Sequence, residues 1–303
     1  MQPLIPYYEV PVISLGPLDV HGFGIMVAVG FLVGAQAAMA RARRVGLDPD
    51  VINRLLGWLI VGTFVGGHIG YGLMYKPDEY FADPIQFLYF WQGLSSFGGF
   101  AACVPITIWF FRKEKLPFWP YADSLAYGLA IGWFFGRMGC TLAHDHPGTA
   151  TETFPLGIWC RPEEGHILEW PEFMRPEHGR MAPWGPCETD PTAFAAHDMG
   201  FYEAIWSLGM FGLIWVMDRV PRTPGLYVVL MGLIYGPVRF AMDFLRPEWT
   251  DARYLGFTPG QYWSVVFFTV CVFLLVYIFR KHKEPYWSLD GARARAEEEA
   301  ETG

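Results

Sequence analysis

An all-α, polytopic membrane protein with seven transmembrane helices is what this 303-residue chain predicts, and three observations carry the prediction. Seven apolar runs each reach the roughly 17–25 residues that a helix needs to cross a bilayer. Lysine and arginine alternate from one set of connections to the other, as the positive-inside rule requires of a multi-pass chain. Two arginines, Arg137 and Arg239, lie deep inside such runs, where a guanidinium costs at least ~2.5–3.5 kcal/mol unless water or partners relieve it. A composition that is 52% hydrophobic and 17% aromatic agrees.

The first run, 23–39, ends in Arg41, Arg43 and Arg44, with Arg54 following. The second, 55–75, carries His68 and a glycine at every fourth position (Gly62, Gly66, Gly70), a spacing that lets helices approach closely. The third, 85–111, is broken by Gly93, Gly98 and Gly99 and closes on Arg112, Lys113 and Lys115. A broken span at membrane depth is tolerated only where it lines protein or water. The fourth, 122–142, repeats the glycine spacing at Gly128, Gly132 and Gly136 and contains Arg137. The runs 199–217, 226–245 and 261–279 complete the set, with Arg219 and Arg222 between the first two and a basic stretch after the last.

Of the 22 basic residues, 14 fall on one side of this alternation, which places the N-terminus outside and the C-terminus in the cytoplasm. The segment 144–198, rich in proline, glycine and carboxylates, then lies outside and is the one connection long enough to form a head or cap. A single transmembrane domain, 1–283, is expected, followed by a cytoplasmic tail, 284–303, whose charged end has the composition of a solvated, disordered segment. The N-terminus has no basic region ahead of its first apolar run, so that run is expected to act as an uncleaved insertion signal. Cys160 and Cys187 share the outside segment, where either a disulfide or two free thiols is permitted. No C-x-x-C pattern marks a metal site, no cofactor is implied, and no nucleic-acid motif is present. The net charge of −8 says less than its placement.

Counting ~1.5 Å per residue from the cytoplasmic ends puts Arg137 about 22 Å up its helix, in the outer half of the core, and Arg239 at a similar height. His68, the Gly98–Gly99 pair, His144, Asp145, His146 and Glu203 reach the same depth. On the sixth span Tyr235, Arg239 and Asp243 are four residues apart, so they form one polar stripe that must face the bundle or a wet cavity. Two arginines at that depth suit an anionic substrate.

Taken together, GGHIGY (66–71), GLSSFGG (93–99), GRMGC with a following glycine (Gly136 to Gly148), FYEA (201–204), YGPVRFAMDFLRP (235–247) and PGQYWS (259–264) resemble the prolipoprotein diacylglyceryl transferase family. The resemblance runs from about 21 to 279. It implies transfer of the diacylglyceryl group of phosphatidylglycerol to the lipobox cysteine of a prolipoprotein signal peptide, at the bacterial inner membrane, with 144–198 periplasmic. It further implies that Arg137 and Arg239 hold the phosphate and its leaving charge, and that Tyr235 and Asp243 orient Arg239. Gly98, Gly99, Gly148, Glu203 and His68 complete the expected lipid site.

The chain departs from the family pattern at several points. Phe23 stands where many members have tyrosine, His68 where they have arginine, Phe97 where they have histidine, Cys140 where they have asparagine, and Asp145 where they have glutamate. The usual histidine base is therefore missing from its place, and His144, His146 or His68 could supply it, since imidazole titrates near neutrality. Two other readings stay open: a transferase-like protein that binds lipid or lipoprotein without turnover, and an anion transporter.

Overall fold

The structure, a computed structural model, describes residues 5, 13–15, 18–89, 93–159, 195–248, 250 and 253–281. Cys160, Cys187 and the tail lie outside the described residues. Helices dominate: α1 (Gly22–Arg44), α2 (Pro49–Tyr75), the short α3 (Pro77–Ala82), α4 (Ser96–Glu114), α5 (Phe118–Ala143), α6 (Met199–Met217), α7 (Leu226–Met242) and α8 (Pro259–Lys281). Among the described residues, five helices are long and apolar enough to cross a membrane: Gly22–Arg44, Pro49–Leu73, Met199–Met217, Leu226–Leu245 and Pro259–Arg280. On α8 the outward side chains are Trp263, Phe267, Val270 and Phe273, the last 71% exposed. A surface of that kind suits lipid and not water.

The all-α expectation needs one correction. The described residues include two small antiparallel sheets, a hairpin of β1 (Ile13–Leu15) with β2 (Leu18–Val20), and a three-stranded sheet. The latter has β5 (Ala195–Asp198) between β3 (Pro147–Ala150) and β4 (Ile158–Trp159). Strands of two to four residues are too short to show alternation in sequence. The break expected in the apolar run 85–111 lies before α4, which itself contains Gly98 and Gly99. A 3-10 turn occupies Pro84–Leu88, Gly93 takes a left-handed φ of 85°, and α4 starts only where the Ser95 side chain caps the Gly98 N–H at 3.3 Å.

Two compact units divide the described residues, one built from Ala35–Leu125 and the other from the chain up to and including Gly34 and from Ala126 onward. In the former, Ala38, Ala42, Val51, Ile52, Leu55, Phe110, Phe111 and Tyr121 form a core cluster. There α2 and α4 meet through glycine, because a Cβ on Gly66 or Gly98 would overlap the facing helix. In the latter unit, Gly30 and Gly34 of α1 meet Gly132 and Gly128 of α5; a Cβ on Gly30 would come 2.6 Å from the Gly132 carbonyl. Gly62 and Gly66 on the second run and Gly132 on the fourth thus serve close helix packing, whereas a Cβ on Gly136 would meet nothing within 4 Å.

Candidate active site

Three helices of one unit bring the site together. Arg137 projects from the last third of α5, Glu203 from the second turn of α6, and Tyr235 and Arg239 from α7. The start of α6 is set by Asp198, whose side chain accepts the Phe201 N–H at 2.6 Å, while the three-stranded sheet joins the end of α5 to that point. Pairing of Pro147 with Asp198, and a bond from Met199 N–H to the His146 carbonyl at 3.0 Å, hold the two helix ends side by side.

Glu203, fully buried, is the hub. Its Oε2 takes the Arg137 Nε–H at 2.9 Å and the Tyr235 hydroxyl at 3.0 Å, and its Oε1 takes Arg239 at 3.3 Å. Arg239 also bridges to Asp243 at 2.9 Å, and Arg246 reaches the same Asp243 oxygen at 3.1 Å. Two aromatic rings wall the cluster: Trp133 lies under the Arg137 guanidinium at 5.1 Å, and Trp206 packs on Tyr235 at 5.0 Å. Three guanidiniums face two buried carboxylates, leaving an excess of one positive charge. An assembly of this kind is ready for one anion.

The approach of α8 fixes the far side. Thr258-Pro-Gly-Gln261 is a capping box: Thr258 Oγ1 accepts the Gln261 N–H at 3.1 Å, and Gln261 Oε1 accepts the Thr258 N–H at 2.9 Å. The Thr258 hydroxyl then donates to Asp243 Oδ2 at 2.6 Å, and Gln261 Nε2 donates to the Phe240 carbonyl at 3.2 Å. A cap that begins one helix thereby holds the carboxylate that holds Arg239.

On the other side of Arg137 stands an imidazole. His146 Nε2 lies 3.4 Å from Arg137 NH1, and its Nδ1 is 2.5 Å from Asp145 Oδ1. Since a guanidinium can only donate, Nε2 is the unprotonated nitrogen and Nδ1–H donates to Asp145. Cys140 Sγ is 3.9 Å from Arg137 NH1. His144 ends α5 in the left-handed region, φ 51°, which histidine enters more readily than most residues.

Of the residues singled out by sequence, Arg137, Arg239, Glu203, Tyr235, Asp243, Asp145 and His146 therefore lie in one connected network. Tyr235 holds Glu203 and not Arg239 directly. Gly148 is a packing position, where a Cβ would come 2.6 Å from His197 Cβ. His68, Gly98 and Gly99 belong to the other unit. There both His68 ring nitrogens face carbonyls, Gly93 O at 3.3 Å and Gln86 O at 3.0 Å, and the two glycines pack against α2. Sequence reasoning missed Arg246, Thr258 and Gln261 as part of the network. The i,i+3 spacing from Asp243 and the T-x-x-Q pattern were the signals available.

Comparison with known proteins covers most of the chain. The sequence profile described as prolipoprotein diacylglyceryl transferase matches residues 11–277. A phosphatidylglycerol–prolipoprotein diacylglyceryl transferase of Chromohalobacter salexigens is 30% identical over 258 residues, covering 84% of this chain and 86% of its own. Relatives of the same name from Stenotrophomonas maltophilia (30% over 279 residues; 87% and 90%) and Pseudomonas entomophila (28% over 283 residues; 90% and 95%) are similar throughout.

Proposed function

The chain belongs to the prolipoprotein diacylglyceryl transferase family, and from that premise we propose that the Arg137–Glu203–Arg239 cluster is where it carries out the transfer. It is a transferase of lipoprotein biosynthesis that uses phosphatidylglycerol and prolipoprotein. The acceptor is the lipobox cysteine thiol of the signal peptide. The enzyme sits in the bacterial inner membrane, with α4 and α5 joining the five apolar helices to make seven crossings, the N-terminus outside and the C-terminus cytoplasmic. At ~1.5 Å per residue, α5 with 26 residues spans a ~30 Å core and α4 with 19 nearly so.

The observation that carries the reading is the half-buried guanidinium pair on one buried carboxylate, with one positive charge in excess. Bound phosphatidylglycerol presents a phosphodiester with one negative charge. When the substrate thiolate attacks the glyceryl carbon, the C–O bond breaks and its electron pair leaves with glycerol phosphate. The phosphate gains a second negative charge as this happens. Arg137 and Arg239 consequently interact more strongly with the transition state than with the bound lipid, which is the condition for accelerating the step. Arginine suits the task because its planar fork stays charged and can hold two oxygens at once.

The thiol proton goes to His146 Nε2. Asp145 keeps Nδ1 protonated, orients the ring and stabilises the imidazolium that forms. Arg137, once turned to the phosphate, no longer occupies Nε2, so lipid binding and readiness of the base are linked through one side chain.

Transfer of labelled diacylglyceryl from phosphatidylglycerol to a lipobox peptide, with full-length protein in detergent, tests the assignment. Arg239→Ala should abolish transfer while leaving folded protein, and Arg239→Lys should restore little. A fully active lysine variant would show that charge alone suffices. No transfer by the unmodified protein, where another family member works, would favour lipid binding without turnover.

A further inference from the structure

We propose that Cys140, Asp145 and His146 form a three-donor site for a divalent cation of the zinc class, and that filling it switches transfer off. The switch rests on the reading of His146 as the base; binding of the cation does not. One donor atom from each residue lies within 4.8 Å of the others. Tetrahedral zinc with bonds of about 2.0–2.3 Å needs donors roughly 3.3–3.8 Å apart, so the wider separations must close while the 2.5 Å contact of His146 Nδ1 with Asp145 opens or Nε2 serves instead. The residues that must move are the ones able to do so. Asp145 is 45% exposed and His146 26%, both beyond the end of α5, whereas buried Cys140 is fixed on the helix.

Donor chemistry selects the cation. A thiolate with an imidazole favours zinc over magnesium or calcium, which prefer oxygen alone. Charge balance removes the obvious objection that Arg137 stands 3.9 Å from the sulfur. On binding, Cys140 gives up its thiol proton to solvent, and the thiolate and the Asp145 carboxylate together cancel the two charges of the metal. Arg137 then faces a neutral unit while remaining paired with Glu203. A metal on the His146 ring removes the lone pair that the substrate thiol needs, or the Asp145 contact that orients it. In either case no proton can be taken up, and the rate falls with occupancy.

Cobalt(II) is the probe, added to the full-length protein in detergent and to its Cys140→Ser and His146→Gln variants. The other four cysteines are unchanged in each, so the difference reports this site. One cobalt per chain should bind with a sulfur-to-cobalt charge-transfer band, and zinc should displace it. Cys140→Ser should lose the band, and each variant should weaken zinc binding beyond the roughly 10–100-fold that loss of an outer-shell partner costs. Absence of bound cobalt, or a band unchanged in Cys140→Ser, overturns the site. Zinc is also titrated against transfer, relative to each protein's own zinc-free rate. Inhibition that tracks the cobalt-measured occupancy supports the switch. Cobalt held through Cys140 with transfer unaffected overturns the switch and the assignment of His146 as base, while leaving the site and the arginine assignment standing.

Discussion

Gly260→Ala sets local preference against tertiary packing. Gly260 lies in the first turn of α8, where local propensity favours alanine over glycine by up to ~1 kcal/mol. A Cβ at that position, however, would overlap Asp243 Oδ2 and stand 3.3 Å from Arg239 NH2. Asp243 has no easy retreat, because it is buried with Oδ2 on the Thr258 hydroxyl at 2.6 Å and Oδ1 between Arg239 and Arg246. Displacing it costs about 1.5–3 kcal/mol for one hydrogen bond to a charged group, so the net effect is a destabilisation of about 0.5–2 kcal/mol after the helical gain. The guanidinium moves with its carboxylate, and a misplacement near 1 Å is worth about 10²-fold in rate. Transfer measured under single-turnover conditions, together with thermal unfolding in the same detergent, reads both effects. A variant that is more stable than the parent and turns over at the parental rate would refute the argument that α8 is spaced to hold Asp243 and, through it, Arg239.

His146→Gln should lower transfer by ~10²–10⁴-fold while sparing phosphatidylglycerol binding, whereas His144→Asn should stay near the parental rate because asparagine also accepts the left-handed helix end. Equal losses in the two variants would move the base away from His146. Asp198 carries a pH signature: burial pushes its carboxyl up to about 6 from an ordinary 3.8, against the Phe201 N–H and Thr141 hydroxyl that favour the anion. Between those values the native state holds the proton and the unfolded chain does not. The contribution, about 3 kcal/mol at most, is therefore present in full below pH 3.8 and is lost as pH rises through 6. Asp198→Asn should keep the cap and flatten the fall in unfolding temperature between about pH 4 and 6.5; an unchanged slope would assign that fall to other groups.

By itself the sequence determined those features that follow from local rules. Length and apolarity of a run decide whether it can be a spanning helix, and fourfold spacing decides that Arg239 and Asp243 share a face. A buried arginine must find an anion or water whatever surrounds it. Those rules sufficed for the mostly helical, apolar character of the chain and for the close helix contacts at glycines such as Gly66 on α2 and Gly132 on α5. They were insufficient at the short strands, where two to four residues show no period, and at Gly98 and Gly99, which were expected in the break of the 85–111 run but lie inside α4. Only the tertiary structure decided which partners the buried charges take. Glu203 lies 66 residues from Arg137 and 36 from Arg239 in the chain, yet its carboxylate joins them, because a small sheet brings the end of α5 to the start of α6. The same holds for Cys140 beside the Asp145–His146 pair, for which no metal pattern was visible in sequence. Pairings of this kind depend on where helix ends are brought in space, and hydrophobic periodicity carries no information about that.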